Sequence, residues 1–212
     1  LESFAEIAIK NDLIVISDEI YDKIIYKDEK HISFPQLGED VKERTILVNG
    51  VSKSYSMTGW RIGYAAGNSS VISAMNNLSG QSTSNPTSIS QKAAIEAFSG
   101  PQEPIKEMLK EFKDRRDFIT SALNEINGVD CVLPEGAFYV FPDISNFFGK
   151  EHNGKTITNS MEISAYLLDV AKVAVVPGVE FGSDNHVRIS YATSMSDIQE
   201  GMKRIKESLS KL

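Results

Sequence analysis

Two rhythms of apolar residues alternate along this chain, and each change of rhythm marks an element. Phe4, Ala5, Ala8 and Ile9 recur at helical spacing and predict a helix over 2–11. The run L-I-V-I-S at 13–17 is short, unbroken and rich in β-branched residues, which suits a buried parallel strand. T-I-L-V-N at 45–49 and W-R-I-G-Y-A-A at 60–66 predict two further strands of the same kind. Gly67-Asn68 ends the last of these, Ser69 or Ser70 is placed to cap a helix over 71–78, and 80–86 is polar and turn-rich. A further helix is expected over 87–98, stopped by Gly100-Pro101.

From 103 to 126 the helical rhythm continues without a break. Ile105, Met108, Leu109, Phe112, Phe118, Ile119, Ala122, Leu123 and Ile126 form one face, and charged residues from Lys106 to Arg116 form the other. At ~1.5 Å per residue such a helix reaches about 35 Å, long enough to connect two domains. Beyond it, strands are expected at 131–133 and 137–142, joined by Pro134-Glu135-Gly136, and again at 173–176 and 187–192. Helices are expected at 160–172, capped by Ser160, and at 196–209. The segment 147–158, with Gly149, Gly154 and many polar residues, reads as the least ordered. The chain thus divides into an α/β part over 1–102, a connecting helix over 103–126 and a smaller α+β domain over 127–212.

Composition narrows the function classes. A chain of 212 residues suits one larger or two small domains, and 41% hydrophobic with 24% charged residues is ordinary for a soluble protein. No run of 18 apolar residues is present, so no membrane span is expected. The net charge of −7 argues against a general nucleic-acid surface. Three scattered histidines and one cysteine offer no metal-ligand spacing, so no metal is expected. The lone Cys131 excludes an internal disulfide and fits a reducing, cytoplasmic setting. Leu1-Glu2-Ser3-Phe4 shows neither a starting Met nor the order of a signal peptide, and the chain is expected to be part of a longer one.

Chemistry gathers at 51–64, V-S-K-S-Y-S-M-T-G-W-R-I-G-Y. Lys53 and Arg61 are eight residues apart, with Ser52, Ser54, Ser56 and Thr58 around them. Two such cations repel unless an anion lies between them, and hydroxyls with a guanidinium suit a phosphate dianion. An ordinary Ser-rich loop would carry the same residues. Lys53 follows the strand at 45–49, and Asp18, in S-D-E-I-Y, ends the strand at 13–17. Ligands of open α/β sheets bind outside the carboxyl ends of strands, so both residues belong to one edge. Desolvation and a neighbouring cation disfavour an ammonium ion and leave an amine that attacks carbonyls. Asp18 would equally cap a short helical turn, with Tyr21 packing one turn later. In V-R-I-S-Y, strand alternation puts Arg188 and Ser190 opposite Val187, Ile189 and Tyr191. That arginine either pairs with an acid or awaits a ligand carboxylate.

In this order the motifs resemble those of the class I aminotransferases among the fold-type-I pyridoxal-phosphate enzymes, above all the bacterial aspartate aminotransferase branch that includes aspartate/prephenate aminotransferases. The likeness runs from V-I-S-D-E-I-Y through V-N-G-V-S-K-S-Y-S-M-T-G-W-R-I-G-Y, Q-S-T-S-N-P-T-S, P-E-G-A-F-Y-V-F-P and V-A-V-V-P-G to V-R-I-S-Y-A. Its most specific part is S-K-x-x-x-M-T-G-W-R-I-G-Y. The resemblance implies that 1–102 is the second half of a cofactor-binding large domain, 103–126 an interdomain helix and 127–212 the small C-terminal domain. It implies pyridoxal 5′-phosphate as cofactor, amino acid and 2-oxo acid substrates (aspartate and 2-oxoglutarate favoured) and a homodimer.

The resemblance also implies roles. Lys53 bonds the cofactor and later moves a proton between substrate and cofactor. Asp18 pairs with the pyridine nitrogen, keeping the ring an electron acceptor. Tyr21 bonds the ring's 3-oxygen. Arg61, with Ser52 as helper, holds the phosphate, and Arg188 grips the substrate α-carboxylate. One position departs from the family's animal-type branch, where a phosphate-binding serine lies three residues before the lysine; here it is Gly50. Family chains are nearly twice as long, and their first half supplies the phosphate loop and the residue that stacks on the ring. The resemblance therefore implies little or no activity for this chain alone. Two other readings stay open: a pyridoxal-phosphate carbon–sulfur β-lyase, and a folded fragment without activity that associates through exposed apolar faces.

Overall fold

Short apolar runs become strands, and longer amphipathic stretches helices, in a computed structural model that describes residues 1–27 and 30–212. The chain divides into two units, Leu1–Glu107 and Met108–Leu212. Among the described residues no helix is long and apolar enough to cross a membrane.

In the first unit, α1 (Glu2–Lys10) turns Ala5 and Ala8 inward. Strand β1 (Val15–Asp18) then runs parallel to β2 (Thr45–Gly50), with Val15 opposite Thr45 and Asp18 opposite Val48. The short helix α2 (Glu39–Glu43) leads into β2. Ala5, Phe34 and Val41 cluster with Val15 and Leu37 against one face of this sheet. The other face is open: Ile16 is 71% exposed. A buried strand was expected here, and among the described residues only one face is covered.

The third strand also differs. Strand β3 (Gly63–Ala66) is antiparallel to β2, with Gly63 opposite Gly50, in a sheet of order β1-β2-β3. Trp60 lies in a 3₁₀ turn, Thr58–Trp60, and Arg61 follows with φ 54°. That left-handed residue is not extended, so the strand begins only after it. Helix α3 (Ser69–Ser82) is capped by Asn68, whose side chain accepts from the Ser70 amide, rather than by a serine. It continues through 80–82, where a turn was expected. Ser82 returns its hydroxyl to the Leu78 carbonyl and stays compatible with the helix. No residue of α3 is buried, and α4 (Ser88–Ser99) buries only Ser90 and Ala94.

Helix α5 (Glu103–Asn124) runs through the division between the units. In the second unit it contributes Phe112, Ile119 and Leu123 to the core. The expected strand at 131–133 does not form. The Asn124 side chain takes both the Cys131 amide (2.8 Å) and its carbonyl (3.0 Å), so those groups are not available to a ladder. Strand β4 (Tyr139–Val140) follows, then the hairpin β5 (Glu151–His152) and β6 (Lys155–Thr156). Asn153 and Gly154 turn this hairpin with φ 51° and 75°, so the segment expected to be least ordered is a paired element.

Helix α6 (Ser160–Tyr166) is capped by Asn159, whose side chain accepts from the Glu162 amide. Ser160, expected to be the cap, is buried and donates its hydroxyl to Asp184 at 2.6 Å. A π-helical turn, Leu167–Ala171, continues α6. Strands β7 (Val176–Pro177) and β8 (Val187–Ser190) complete an antiparallel sheet of order β4-β8-β7, and α7 (Met195–Leu209) closes the chain with Ser194 as its cap.

Candidate active site

Three turns meet at the carboxyl edge of the β1–β2 pair. Asp18 ends β1 beside Val48. Its Oδ1 accepts from the Ile20 amide at 3.2 Å, so the expected turn-capping contact is present. Its second oxygen has no partner among the described residues. Tyr21 is half-buried in the turn that follows, where its carbonyl accepts from the Ile24 amide at 2.8 Å. Lys53, also half-buried, lies three residues past the end of β2. Arg61 lies two residues before β3 begins. Because Gly50 pairs with Gly63, Lys53 and Arg61 occupy the single connection between two adjacent strand ends. Arg61 Nη1 donates to the Thr58 carbonyl at 2.8 Å. Ser56 and Arg61 both hold positive φ, a conformation costing about 1–3 kcal/mol for a residue other than glycine.

The connection leaves no room at position 50. A Cβ on Gly50 would lie 2.7 Å from the Ile62 carbonyl oxygen and 3.0 Å from the Gly63 Cα. A serine there would force β2 and β3 apart. The Ser52 hydroxyl, two residues on and partly exposed, makes no hydrogen bond among the described residues.

Ser54 is not a ligand hydroxyl. It is 0% exposed and donates to Asp22 Oδ1 at 2.8 Å, with the Ile20 carbonyl 3.4 Å away. This contact latches the Lys53 turn onto the Asp18–Tyr21 turn. Sequence reasoning missed Asp22, because an aspartate in a turn carries no distinguishing pattern. It also missed Glu19. That buried carboxylate accepts from Ser17 (2.9 Å), His31 (2.7 Å), Ser33 (3.1 Å) and the Phe34 amide (2.9 Å). Burial alone would raise its pKa, but these four bonds outweigh it and hold the group below the ordinary value. The signal available was strand alternation: Ser17 and Glu19 share one side, and Asp18 points to the other. Nearby, burial and the Asp22 charge raise the phenols of Tyr55 and Tyr64, which both meet the Phe98 ring edge-on.

In the second unit Arg188 is half-buried on β8. Among the described residues it forms no ion pair with a carboxylate. Its neighbours are the rings of Tyr139 and Phe181. Of the two alternatives left by the sequence, the structural acid pair is not formed among the described residues. No group of His, Cys, Asp and Glu suited to a metal ion occurs among the described residues.

The family profile described as aminotransferase class I and II matches residues 1–205. The chain belongs to this family. It is 50% identical over 206 residues to an aspartate aminotransferase of Bacillus sp. strain YM-2, covering 97% of this chain and 51% of that protein. It is 51% identical over 199 residues to a probable aspartate/prephenate aminotransferase of Rickettsia prowazekii, covering 93% and 50%. Among solved structures, the aspartate aminotransferase of Rhizobium meliloti superposes with a TM-score of 0.93 at 44% identity, covering 98% of this chain and 52% of that one. An aromatic aminotransferase from Pyrococcus horikoshii superposes with a TM-score of 0.89 at 39% identity, covering 99% and 54%. The chain thus spans about half the length of the relatives it matches. Class I aminotransferases are pyridoxal-phosphate enzymes, and the fold-type-I assignment of this α/β and α+β chain agrees with these neighbours.

Proposed function

We propose that the protein containing this chain transfers an amino group between an L-amino acid, with aspartate favoured, and a 2-oxo acid, with 2-oxoglutarate favoured, using pyridoxal 5′-phosphate. The observation that supports this reading is that Lys53 and Arg61 lie in the connection leaving β2, which the Ser54–Asp22 bond ties to the turn after Asp18 on the neighbouring strand. This donor set fits the cofactor: an amine for its aldehyde, a carboxylate for its ring nitrogen, and a cation with a hydroxyl for its phosphate. When bound, the cofactor supplies an electron sink that acidifies the substrate's Cα–H bond.

Each residue then has one task. Lys53 would hold the cofactor through its aldehyde; its amine, displaced by the amine of the substrate, would take the Cα proton as general base and deliver it as acid to the cofactor's C4′ carbon. Asp18, through the oxygen that does not accept from the Ile20 amide, would keep the ring nitrogen protonated. Tyr21 donates to the ring's 3-oxygen. Arg61 and Ser52 hold the phosphate, Ser52 standing in for a serine that Gly50 excludes. Arg188 supplies the planar fork for the substrate α-carboxylate. The domain scheme of a large-domain half over 1–102, a connecting helix over 103–126 and a small domain over 127–212 belongs to this proposal, as do a homodimer and a cytoplasmic setting.

The test is amino-donor preference in the polypeptide that carries this chain at its relatives' length. Aspartate with 2-oxoglutarate should yield oxaloacetate and glutamate. Pyruvate and ammonia from cystathionine, without amino transfer, would replace this reading with the β-lyase. The 212-residue chain alone is expected to turn over little or nothing, and aspartate turnover by it would overturn that expectation.

A further inference from the structure

Arg188 is held by two aromatic rings that arrive from opposite sides. Its guanidinium carbon lies 4.5 Å from the centre of the Tyr139 ring and 4.3 Å from that of Phe181. Strand order explains the arrangement. Tyr139 is on β4, which pairs with β8 on one side; β7 pairs with β8 on the other, with Val176 opposite Arg188. Phe181 ends the 3₁₀ turn Gly178–Phe181 that leaves β7.

Both rings are braced from behind. Tyr139 packs on Phe138 at 4.8 Å between ring centres. Phe181 meets Phe141 edge-on at 6.0 Å, and Phe141 stacks on the His186 ring at 4.7 Å and 10°. The turn bearing Phe181 is fixed at Gly178, whose amide donates to the His186 carbonyl at 2.8 Å. A Cβ on Gly178 would collide with the carbonyl oxygens of Ser183 and His186, so only glycine brings the turn this close.

Ring faces attract a guanidinium but accept no conventional hydrogen bond from its N–H groups. They fix the arginine without using its donors. A carboxylate partner would do the opposite and fill the planar fork that a ligand needs. We propose that Tyr139 and Phe181 are positioning residues that hold Arg188 as a preformed receptor for a carboxylate, with Phe181, 46% exposed, as the adjustable jaw. The proposal rests on the reading of Arg188 given above and adds to it how the fork is kept open and aimed.

The test uses the 212-residue chain and succinate, a carboxylate that needs no cofactor, followed through the arginine side-chain N–H signals in nitrogen-15 NMR spectra. Arg188→Lys identifies the Arg188 signal. That signal should be displaced by the ring currents of its two neighbours and should move saturably with succinate. Phe181→Ala should relax the displacement and weaken succinate binding about 3- to 30-fold, the range of one cation–π contact. Phe181→Tyr and Tyr139→Phe, which keep the rings, should preserve both readouts, and Phe181→Leu repeats the comparison if alanine loosens the turn. An Arg188 signal that ignores succinate in the unaltered chain, or binding and displacement unchanged on loss of either ring, overturns the clamp. Clamp-dependent binding in a protein that transfers no amino group would leave the clamp standing and sink the functional reading.

Discussion

The two units hold themselves together by different means. In Met108–Leu212, Val140, Ile163, Leu167, Val187 and Tyr191 are almost wholly enclosed. In Leu1–Glu107, Ile24 and Val51 are enclosed as fully, but Ile14, Ile16, Leu78 and Ile89 stand open, Leu78 at 73%. The unit with the larger core carries one candidate ligand group, Arg188. The unit with open faces carries Asp18, Tyr21, Ser52, Lys53 and Arg61. The edge carrying these candidate residues is organised instead by buried and half-buried hydrogen bonds, those of Glu19 and the Ser54–Asp22 latch. Packing gives the second unit stability, while polar latches give the first unit geometry.

The largest expected effect breaks the packing side of this comparison. Ile163→Ala should cost about 2–5 kcal/mol in the second unit, as a cavity in a closed core does. Ile16→Ala in the first unit should cost under about 0.5 kcal/mol, because its side chain is already in water. Urea titration read by amide exchange, which resolves the units separately, measures both. Similar losses at the two sites would erase the distinction.

Next come the latches. Ser54→Ala leaves the Asp22 carboxylate without its buried donor and should cost the first unit about 1–3 kcal/mol. Glu19→Gln should cost a similar amount at neutral pH and also change the acid limb of the stability curve. Glu19 titrates below its ordinary value near 4.5 in the folded chain. Its contribution is therefore complete above that value and is lost as pH falls through the lower folded one. Thermal melts between pH 3 and pH 7 should show the variant losing less stability on acidification than the parent chain. Parallel curves would mean that Glu19 does not anchor the turn.

A smaller effect concerns the open faces. Replacing Ile14 and Ile16 by serine should lower binding of an apolar dye and self-association in light scattering, with little change in stability. Smallest of all is Lys42→Ala. It removes an exposed pair with Glu39 at 2.9 Å and should shift stability by under about 0.5 kcal/mol.

Much of the fold was legible because apolar periodicity is local. It found α1, β2, α4, α5 and α7 to within a residue or two. It could not decide strand direction, since the antiparallel pairing of β3 with β2 is a contact between strands that local periodicity does not encode. Side chains also competed for backbone groups, as Asn124 does at Cys131, and hid the loss of a strand. The Asn-Gly turn at 153–154 was readable but was masked by the polarity around it. The candidate residues stood out in the sequence as chemistry: amine, acid and fork. The supports beneath them were not, because Ser54 and Glu19 meet partners 32 and up to 15 residues away. Nor does an arginine in a strand announce that its partners will be rings.

The central claim is that Lys53 is the amine set for an aldehyde at this edge. Incubating the chain with pyridoxal 5′-phosphate, reducing with borohydride and mapping the modified peptides by mass spectrometry tests it directly. Label should concentrate on half-buried Lys53 ahead of the exposed lysines, and Asp18→Asn should diminish it. Label spread over surface lysines in proportion to their exposure, with no excess at Lys53, would contradict the account.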